Sequence, residues 1–174
     1  MINKVVSFDF DKTLVYSPEP EEGREIWLDR TGEQFPHTGW WGRPESLNTD
    51  VFYIDINPWV YKKYLEAIAD ETAYVILATG RLDRLRHKVQ AVLNLHNLSF
   101  DEVLCNTGGD TYGFKCRQFE RLINKFDPET FIMYDDRHEH IVRFRDEWAR
   151  RQPCEIQIID VTKTDKTPMI INPN

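Results

Sequence analysis

The chain alternates between short runs that are almost wholly apolar and longer stretches in which apolar residues recur every three or four positions. Short apolar runs bounded by turn-forming residues are typical of strands buried on both faces of a parallel sheet. The longer period predicts amphipathic helices. Together they predict an α/β fold, a doubly wound parallel sheet with right-handed crossovers. The predicted strands cover residues 5–8, 73–78, 100–105, 130–134 and 155–161, and the predicted helices start at Asn57-Pro58 or cover residues 85–96, 115–126 and 141–148.

A long segment after the first predicted strand does not fit this alternation. Prolines at positions 18 and 20 fix the backbone and remove amide donors, so residues 16–23 are not expected to continue a helix or a central strand. The pattern stays irregular to residue 55, and a loop of this length is usually functional, often a lid. Its Trp40 and Trp41 either fill a small core or stack on bases of a substrate. We expect one domain over residues 1–174, with the lid insertion at 16–55 and a frayed or weakly attached tail at 162–174.

Composition narrows the classes of protein that fit. The 174 residues carry a formal net charge of -7, which disfavours a large non-specific nucleic-acid surface but leaves room for local basic patches. The three cysteines are scattered and form no C-x-x-C pair, which suits a reducing cytosol. The sequence has no signal-peptide pattern and no apolar run of membrane-spanning length. We therefore expect a soluble cytoplasmic protein without membrane association.

Polar side chains gather where the predicted strands end. They are Asp9 and Asp11 after the first strand, Thr79, Gly80 and Arg81 after the second, and Asp135 and Asp136 after the fourth. Carboxyl ends of parallel strands meet at one edge of a sheet, so these residues are expected to converge there. Lys115, which opens a predicted helix after a glycine loop, is expected to join them.

This combination predicts a phosphoryl-transfer site. A carboxylate nucleophile needs a cation beside it before it can approach an anionic phosphate. Hard oxygen ligands such as Asp9, Asp136 and a backbone carbonyl suit Mg²⁺. A hydroxyl and a fixed ammonium can stabilise the remaining phosphate oxygens. Chemistry of this kind passes through an aspartyl-phosphate.

The motifs resemble those of the haloacid dehalogenase (HAD) superfamily of phosphohydrolases, over nearly the whole chain. In order, the matching residues are the run 9–13 (DFDKT), Thr79, Lys115 and the pair Asp135-Asp136. The resemblance implies a Rossmann-like fold, Mg²⁺ as cofactor and phosphomonoester hydrolysis.

The same resemblance implies a role for each residue. Asp9 would be the nucleophile and a metal ligand, and Asp11 the general acid and base, with its backbone carbonyl on the metal. Thr79 would contact phosphate, while Lys115 would neutralise the nucleophile and the phosphate. Asp136 would be the direct metal ligand, and Asp135 would orient Lys115 or a metal-bound water.

Two narrower likenesses point to a nucleic-acid end. Residues 17–20 (SPEP), 39–44 (GWWGRP) and 135–138 (DDRH) resemble the HAD domain of the Swiss Army Knife RNA-repair proteins. Asn57-Pro58, the run 79–81 (TGR) and the run 135–137 (DDR) resemble the 3′-phosphatase domain of phage-type polynucleotide kinase-phosphatases. The second likeness implies that Arg81 helps to bind phosphate, with bidentate geometry open to arginine.

Three functions stay open at this point. The first is a Mg²⁺-dependent phosphatase that removes a terminal (3′) phosphate from an RNA or DNA end or a nucleotide. The second is a small-molecule phosphatase, such as a nucleotidase. The third is a catalytically silent module that binds nucleic-acid ends or a protein. We interpret His138 and His140 as non-ligands, because side chains two apart on a helix diverge. The residues give no signal for the oligomeric state.

Overall fold

The computed structural model describes residues 1–173, which form a six-stranded sheet with helices on both faces and a two-stranded ribbon beside it. In chain order the strands are β1 (Lys4–Phe8), β2 (Val15–Tyr16), β3 (Asp55–Ile56), β4 (Ala73–Leu82), β5 (Glu102–Asn106), β6 (Thr130–Asp135), β7 (Glu155–Asp160) and β8 (Met169–Ile171). The sheet order is β5-β4-β1-β6-β7-β8, and β2 pairs with β3 in the ribbon. The predicted doubly wound α/β fold is confirmed.

Strand β1 lies in the middle of the sheet because it is apolar on both faces. Val5 packs into the core on one face, while Val6 and Phe8 pack into the core on the other. Both neighbours are parallel to β1, with Phe8 opposite Leu77 of β4 and Tyr134 of β6. This register brings Asp9, which follows β1, Asp136, which follows β6, and the last residues of β4 to one edge of the sheet. Strand β4 runs beyond its predicted end at residue 78, so Thr79, Gly80 and Arg81 lie within the strand and not after it.

The helices are α1 (Pro20–Thr31), α2 (Pro58–Ile68), α3 (Arg86–Leu95), α4 (Thr111–Phe126) and α5 (His138–Arg143), which runs on into a π-helical turn at Phe144–Trp148. Asn57 caps α2, as predicted, by accepting the amide hydrogens of Trp59 and Val60. Asp110 caps α4 by accepting from the Gly113 amide at 2.8 Å. Lys115 therefore lies in the second turn of α4, not at its start as predicted. Within residues 1–173 no helix has the length and apolar character that crossing a membrane requires.

The expectation that residues 16–23 lie outside any helix is wrong for the last four of them. Pro20 occupies the first turn of α1, where its missing amide hydrogen leaves no bond unmade. Inside α1, Gly23 packs against the indole of Trp40 so closely that a Cβ atom would lie 2.1 Å from Trp40 Cη2. The insertion is thus partly ordered by a helix that rests on a tryptophan.

The expectation of a frayed or weakly attached tail is also wrong for residues 169–171. Met169–Ile171 form β8, which pairs antiparallel with β7, with Ile158 opposite Met169. The sheet is therefore parallel with one antiparallel edge strand, a common arrangement in α/β folds. Asn174, the final residue of the predicted tail, lies outside the described residues.

Candidate active site

Three carboxylates meet at the carboxyl edge of the sheet. Asp9 directly follows β1, and its amide hydrogen bonds the Tyr134 carbonyl of β6 at 3.0 Å. Asp135 is the last residue of β6, and Asp136 follows it. Each of the three offers a carboxylate oxygen within 4.8 Å of the others. They line a cavity of about 490 Å³.

Lys115 brings one buried positive charge to this cluster. Its Nζ donates to Asp9 Oδ1 at 2.8 Å and to Asp135 Oδ2 at 2.6 Å. Burial alone would lower the pKa of Lys115, but the charges of Asp135 and Asp9 outweigh it and raise that pKa. The ammonium is therefore charged throughout the physiological range.

The cluster remains short of positive charge. Burial is the main reason that the pKa of Asp9 lies well above its usual range, against the opposing effect of Lys115. Burial, followed by repulsion from Asp135, raises the pKa of Asp136 as well. Three carboxylates facing one ammonium leave an excess of negative charge that a divalent cation would balance.

The donor set fits Mg²⁺, a hard cation that prefers oxygen ligands. Both oxygens of Asp135 are already in use, because Oδ1 accepts from the Arg137 amide at 2.9 Å and Oδ2 from Lys115. Asp136 Oδ1 has a long contact of 3.4 Å from the Thr13 hydroxyl. Asp9 and Asp136 thus have the more accessible oxygens for a metal.

A tight turn after β1 places Asp11 beside Asp9. Lys12 adopts the left-handed conformation (φ 61°), and its amide hydrogen bonds the Val15 carbonyl at 2.8 Å. The Leu14 amide closes the turn on the Asp9 carbonyl at 3.3 Å. As a result both aspartates line the same cavity.

Asp11 is held by Arg81, which the sequence had suggested as a phosphate ligand. Arg81 donates from Nε to Asp11 Oδ2 at 2.9 Å and from Nη2 to Oδ1 at 2.8 Å. Its Nη1 donates to the Trp41 carbonyl at 2.8 Å and to Ser46 Oγ at 2.7 Å. All three guanidinium nitrogens of Arg81 therefore make hydrogen bonds within the protein. They connect Asp11 to the insertion, and the guanidinium does not present a free pair of donors to the cavity. Ser17 Oγ adds a third bond to Asp11, at 2.5 Å.

Thr79 and Gly80 occupy different positions relative to the cavity. Thr79 is fully buried, and its hydroxyl accepts the Arg81 amide at 3.1 Å. Gly80 lines the cavity, and a Cβ there would lie 2.7 Å from Thr111 Oγ1. The glycine therefore lets Thr111, at the start of α4, approach the wall of the cavity, where sequence reasoning had not placed it.

The two adjacent tryptophans point to opposite sides. Trp40 is buried in the insertion and donates its indole N–H to the Pro18 carbonyl at 3.0 Å. Trp41 is 40% exposed, lines the cavity and stacks on the Arg81 guanidinium, whose Cζ is 4.9 Å from the ring centroid. The structure brings Trp41 to the site and packs Trp40 into the core.

Sequence reasoning assigned no role at the site to two further residues that line the cavity. Arg137 is exposed at the cavity, and its guanidinium makes no hydrogen bond to any residue in the range 1–173. His140 is buried in the cavity wall, where burial and the nearby Arg137 charge lower its pKa to about 4. The available signal was closeness in sequence, since both residues follow Asp136 within four positions. Asp136 itself precedes α5 and shares no helix face with His140.

Comparison with known proteins identifies the family of this site. A family model described as HAD domain family 1 in Swiss Army Knife RNA repair proteins matches residues 23–170. The chain belongs to this family. No curated protein matches it.

Solved structures of HAD hydrolases share the fold of this family member. The Pnkp1/Rnl/Hen1 RNA repair complex contains a chain that matches with a TM-score of 0.58 and 20% identity, over 90% of this chain and 43% of that one. This chain thus covers less than half of the length of the matched chain. A haloacid dehalogenase-like hydrolase from Streptococcus pneumoniae matches with a TM-score of 0.52 and 13% identity, over 89% and 83% of the two chains. A HAD hydrolase from Salmonella enterica serovar Typhi matches with a TM-score of 0.52 and 15% identity, over 85% and 61%.

Proposed function

We propose that this HAD domain is a Mg²⁺-dependent phosphatase that removes a terminal phosphate, the 3′-phosphate of a nucleic-acid end, through an aspartyl-phosphate. The observation that carries the proposal is the bridge from Lys115 to Asp9 and Asp135. It fixes one carboxylate beside an ammonium, at a cavity that also holds Asp136 and the second acid, Asp11. A structural ion pair would not require two further carboxylates at the same opening.

Asp9 is the nucleophile in this proposal. Lys115 holds Oδ1, so Oδ2 is the oxygen that attacks phosphorus as the bond to the leaving oxygen breaks. The buried carboxylate must first be ionised, and both Lys115 and a bound cation favour its charged form. Bound Mg²⁺, held by Asp9, Asp136 and the Asp11 carbonyl, would supply positive charge to the phosphoryl oxygens.

Asp11 moves the protons. In the first step it gives a proton to the leaving oxygen, and in the second it takes one from the water that attacks phosphorus and returns Asp9 to its carboxylate form. Three hydrogen bonds from Ser17 and Arg81 present Asp11 as an acceptor, the form that activates water. Within residues 1–173, Oδ2 accepts only the bond from Arg81 Nε, so its second lone pair can carry the proton of the first step beside the Arg81 contact.

Cations and a hydroxyl at the cavity are suited to hold the rest of the phosphate. Among residues 1–173 no group hydrogen-bonds the guanidinium of Arg137 there, and Lys12 and Thr111 line the same opening. Because the Arg81 fork is occupied by Asp11, we assign the direct phosphate contact to Arg137 rather than to Arg81. The RNA-repair context of the family favours a polynucleotide end as substrate.

A nucleotidase is the second candidate, favoured by the size of the cavity. About 490 Å³ is within the range of pockets that enclose small ligands. Free mononucleotides would then be hydrolysed at least as well as oligonucleotide ends.

A substrate panel tests the proposal. Phosphate release is measured with Mg²⁺ from 3′- and 5′-phosphorylated RNA and DNA oligonucleotides, mononucleotides and glycerol phosphate. We expect turnover that is highest with 3′-phosphorylated ends and is abolished in Asp9→Asn. Asp146→Asn, which changes an exposed aspartate paired with Arg145, is the matched control and should behave as wild type. Equal turnover in Asp9→Asn and wild type would refute the chemistry, and faster turnover of mononucleotides would favour the nucleotidase.

A further inference from the structure

A second cleft, of about 300 Å³, opens beside the catalytic cavity. The two share Lys12 and Glu19, which form an ion pair with each other. The cleft is formed by the ribbon and by α1 of the insertion. Its lining includes Tyr16, Ser17, Pro18, Ile26, Phe52 and Tyr53. Ser17, which bonds Asp11, therefore connects the cleft to the catalytic acid.

Two tyrosines at this cleft are unusually exposed. Tyr16 is 50% exposed and Tyr53 is 78% exposed, whereas Phe52 beneath them is buried. Tyr16 belongs to β2, and Tyr53 lies two residues before β3, the strand that pairs with it. Each tyrosine thus exposes an aromatic face to solvent, while the neighbouring Phe52 side chain is buried.

The charges of the cleft balance. Lys12 and Arg30 face Glu19 and Glu22, and Lys12 is already paired with Glu19. Arg30 also donates to the Val51 carbonyl at 2.8 Å. A second phosphate would find no net positive charge here, whereas an uncharged planar group would find aromatic faces and carboxylate acceptors for amino groups.

We infer that this cleft binds the base of the nucleotide that carries the scissile phosphate, stacked on Tyr16 or Tyr53. The inference rests on the proposed phosphatase function, because the phosphate must occupy the neighbouring cavity. A nucleobase satisfies both properties of the cleft, since it is flat, uncharged and carries amino groups. Base stacking on an aromatic side chain tolerates any of the bases, so the cleft would select for a base and not for its identity.

The test compares a 3′-phosphorylated RNA oligonucleotide with the same oligonucleotide lacking its terminal base. We expect wild type to show a lower KM for the base-bearing substrate. In Tyr53→Ala and Tyr16→Ala that KM should rise roughly fivefold to hundredfold, while the KM for the abasic substrate stays near its wild-type value. Tyr53→Phe keeps the aromatic face and should retain the preference. Leu95→Ala, which alters an exposed apolar residue outside the cleft, is the control for surface truncation.

Equal KM values for the two substrates in wild type, or tyrosine variants that leave the difference intact, would overturn the base site. Phosphate release from both substrates would in that case still uphold the phosphatase. The same comparison is made by fluorescence anisotropy with labelled oligonucleotides and Asp9→Asn, which gives an answer independent of turnover. Absent phosphate release together with tighter binding of the base-bearing strand would refute the phosphatase alone. Equal binding of both strands by all variants would instead fit a protein partner at these tyrosines and would overturn the inference.

Discussion

Replacing Lys115 by methionine tests how the carboxylate cluster is held together. Methionine keeps the apolar stem and removes the charge that bonds Asp9 and Asp135. Lys115 is 2% exposed, so the carboxylates would lose their counter-charge in a buried setting. Removing one partner of a buried ion pair typically costs about 3–5 kcal/mol. For a chain of this size that corresponds to a fall in Tm of roughly 6–20 °C.

A second lysine provides a matched control for this variant. Lys4 Nζ bonds Asp70 at 2.6 Å, the same length as the Lys115 bond to Asp135, but the two side chains are 36% and 28% exposed. Exposed pairs typically contribute about 0–1 kcal/mol. Urea unfolding without metal at pH 7.5, followed by tryptophan fluorescence and far-UV circular dichroism, should show a small loss for Lys4→Met and a large one for Lys115→Met.

The pH dependence of the loss has a definite sign. Burial already raises the pKa of Asp9, and removal of Lys115 raises it further. An acid whose pKa is higher in the folded than in the unfolded state loses stability as pH rises between those two values. The deficit of Lys115→Met should therefore shrink toward pH 5, and Mg²⁺ should restore part of it at pH 7.5. Equal losses for the two lysine variants, or a deficit that grows on acidification, would show that Lys115 does not stabilise the carboxylates by its charge.

Three other predictions follow from the site and the insertion. Arg81→Lys keeps a positive charge but loses the bidentate hydrogen bond to Asp11, so we expect kcat to fall roughly tenfold or more. The effect should be larger with phenyl phosphate than with p-nitrophenyl phosphate, whose leaving group needs no proton. An equal effect on both esters would argue that Arg81 does not act through the acid Asp11. NMR titration of His140, assigned with His140→Gln, should give a midpoint near pH 4. The folding stability contributed by His140 should be lost as the pH falls from about 6.5 toward that midpoint. A midpoint near 6.5 would contradict the burial of His140. Gly23→Ala would stabilise an exposed helix, but here we expect it to lower the free energy of unfolding by about 1–3 kcal/mol, because the new methyl group meets Trp40. Thermal or urea unfolding measures this loss. An unchanged Tm would show that α1 does not pack on the Trp40 ring.

The residues at strand ends were predictable because one physical rule governs them. Apolar runs buried on both faces end abruptly at Asp9, Thr79 and Asp135, and parallel pairing then places all three ends at one edge. To predict that Lys115 lies near these carboxylates, only one further helix was needed, α4, which packs beside β4 and β5. Local pattern and sheet topology were enough to place these charged groups.

The insertion was not predictable in the same way. Helix α1 buries only Gly23 fully, so its apolar residues show little helical periodicity, and its proline at the first turn looked like a helix breaker. Trp40 and Trp41 carry the same signal in sequence, and only the position of α1 decides which of them packs inward. The partner of Arg81 is 70 positions away at Asp11, and no local pattern reports a pairing over that separation.

The role of Asp9 as nucleophile is tested by trapping the phosphoryl group on its side chain. The protein is mixed with Mg²⁺ and an oligonucleotide bearing a radiolabelled 3′-phosphate, quenched in acid at short times and digested for mass spectrometry. We expect a transient, hydroxylamine-sensitive label on the peptide that contains Asp9, and no label or phosphate release in Asp9→Asn. Phosphate release that persists in Asp9→Asn, with no labelled peptide at any time in wild type, would rule out Asp9 as the nucleophile.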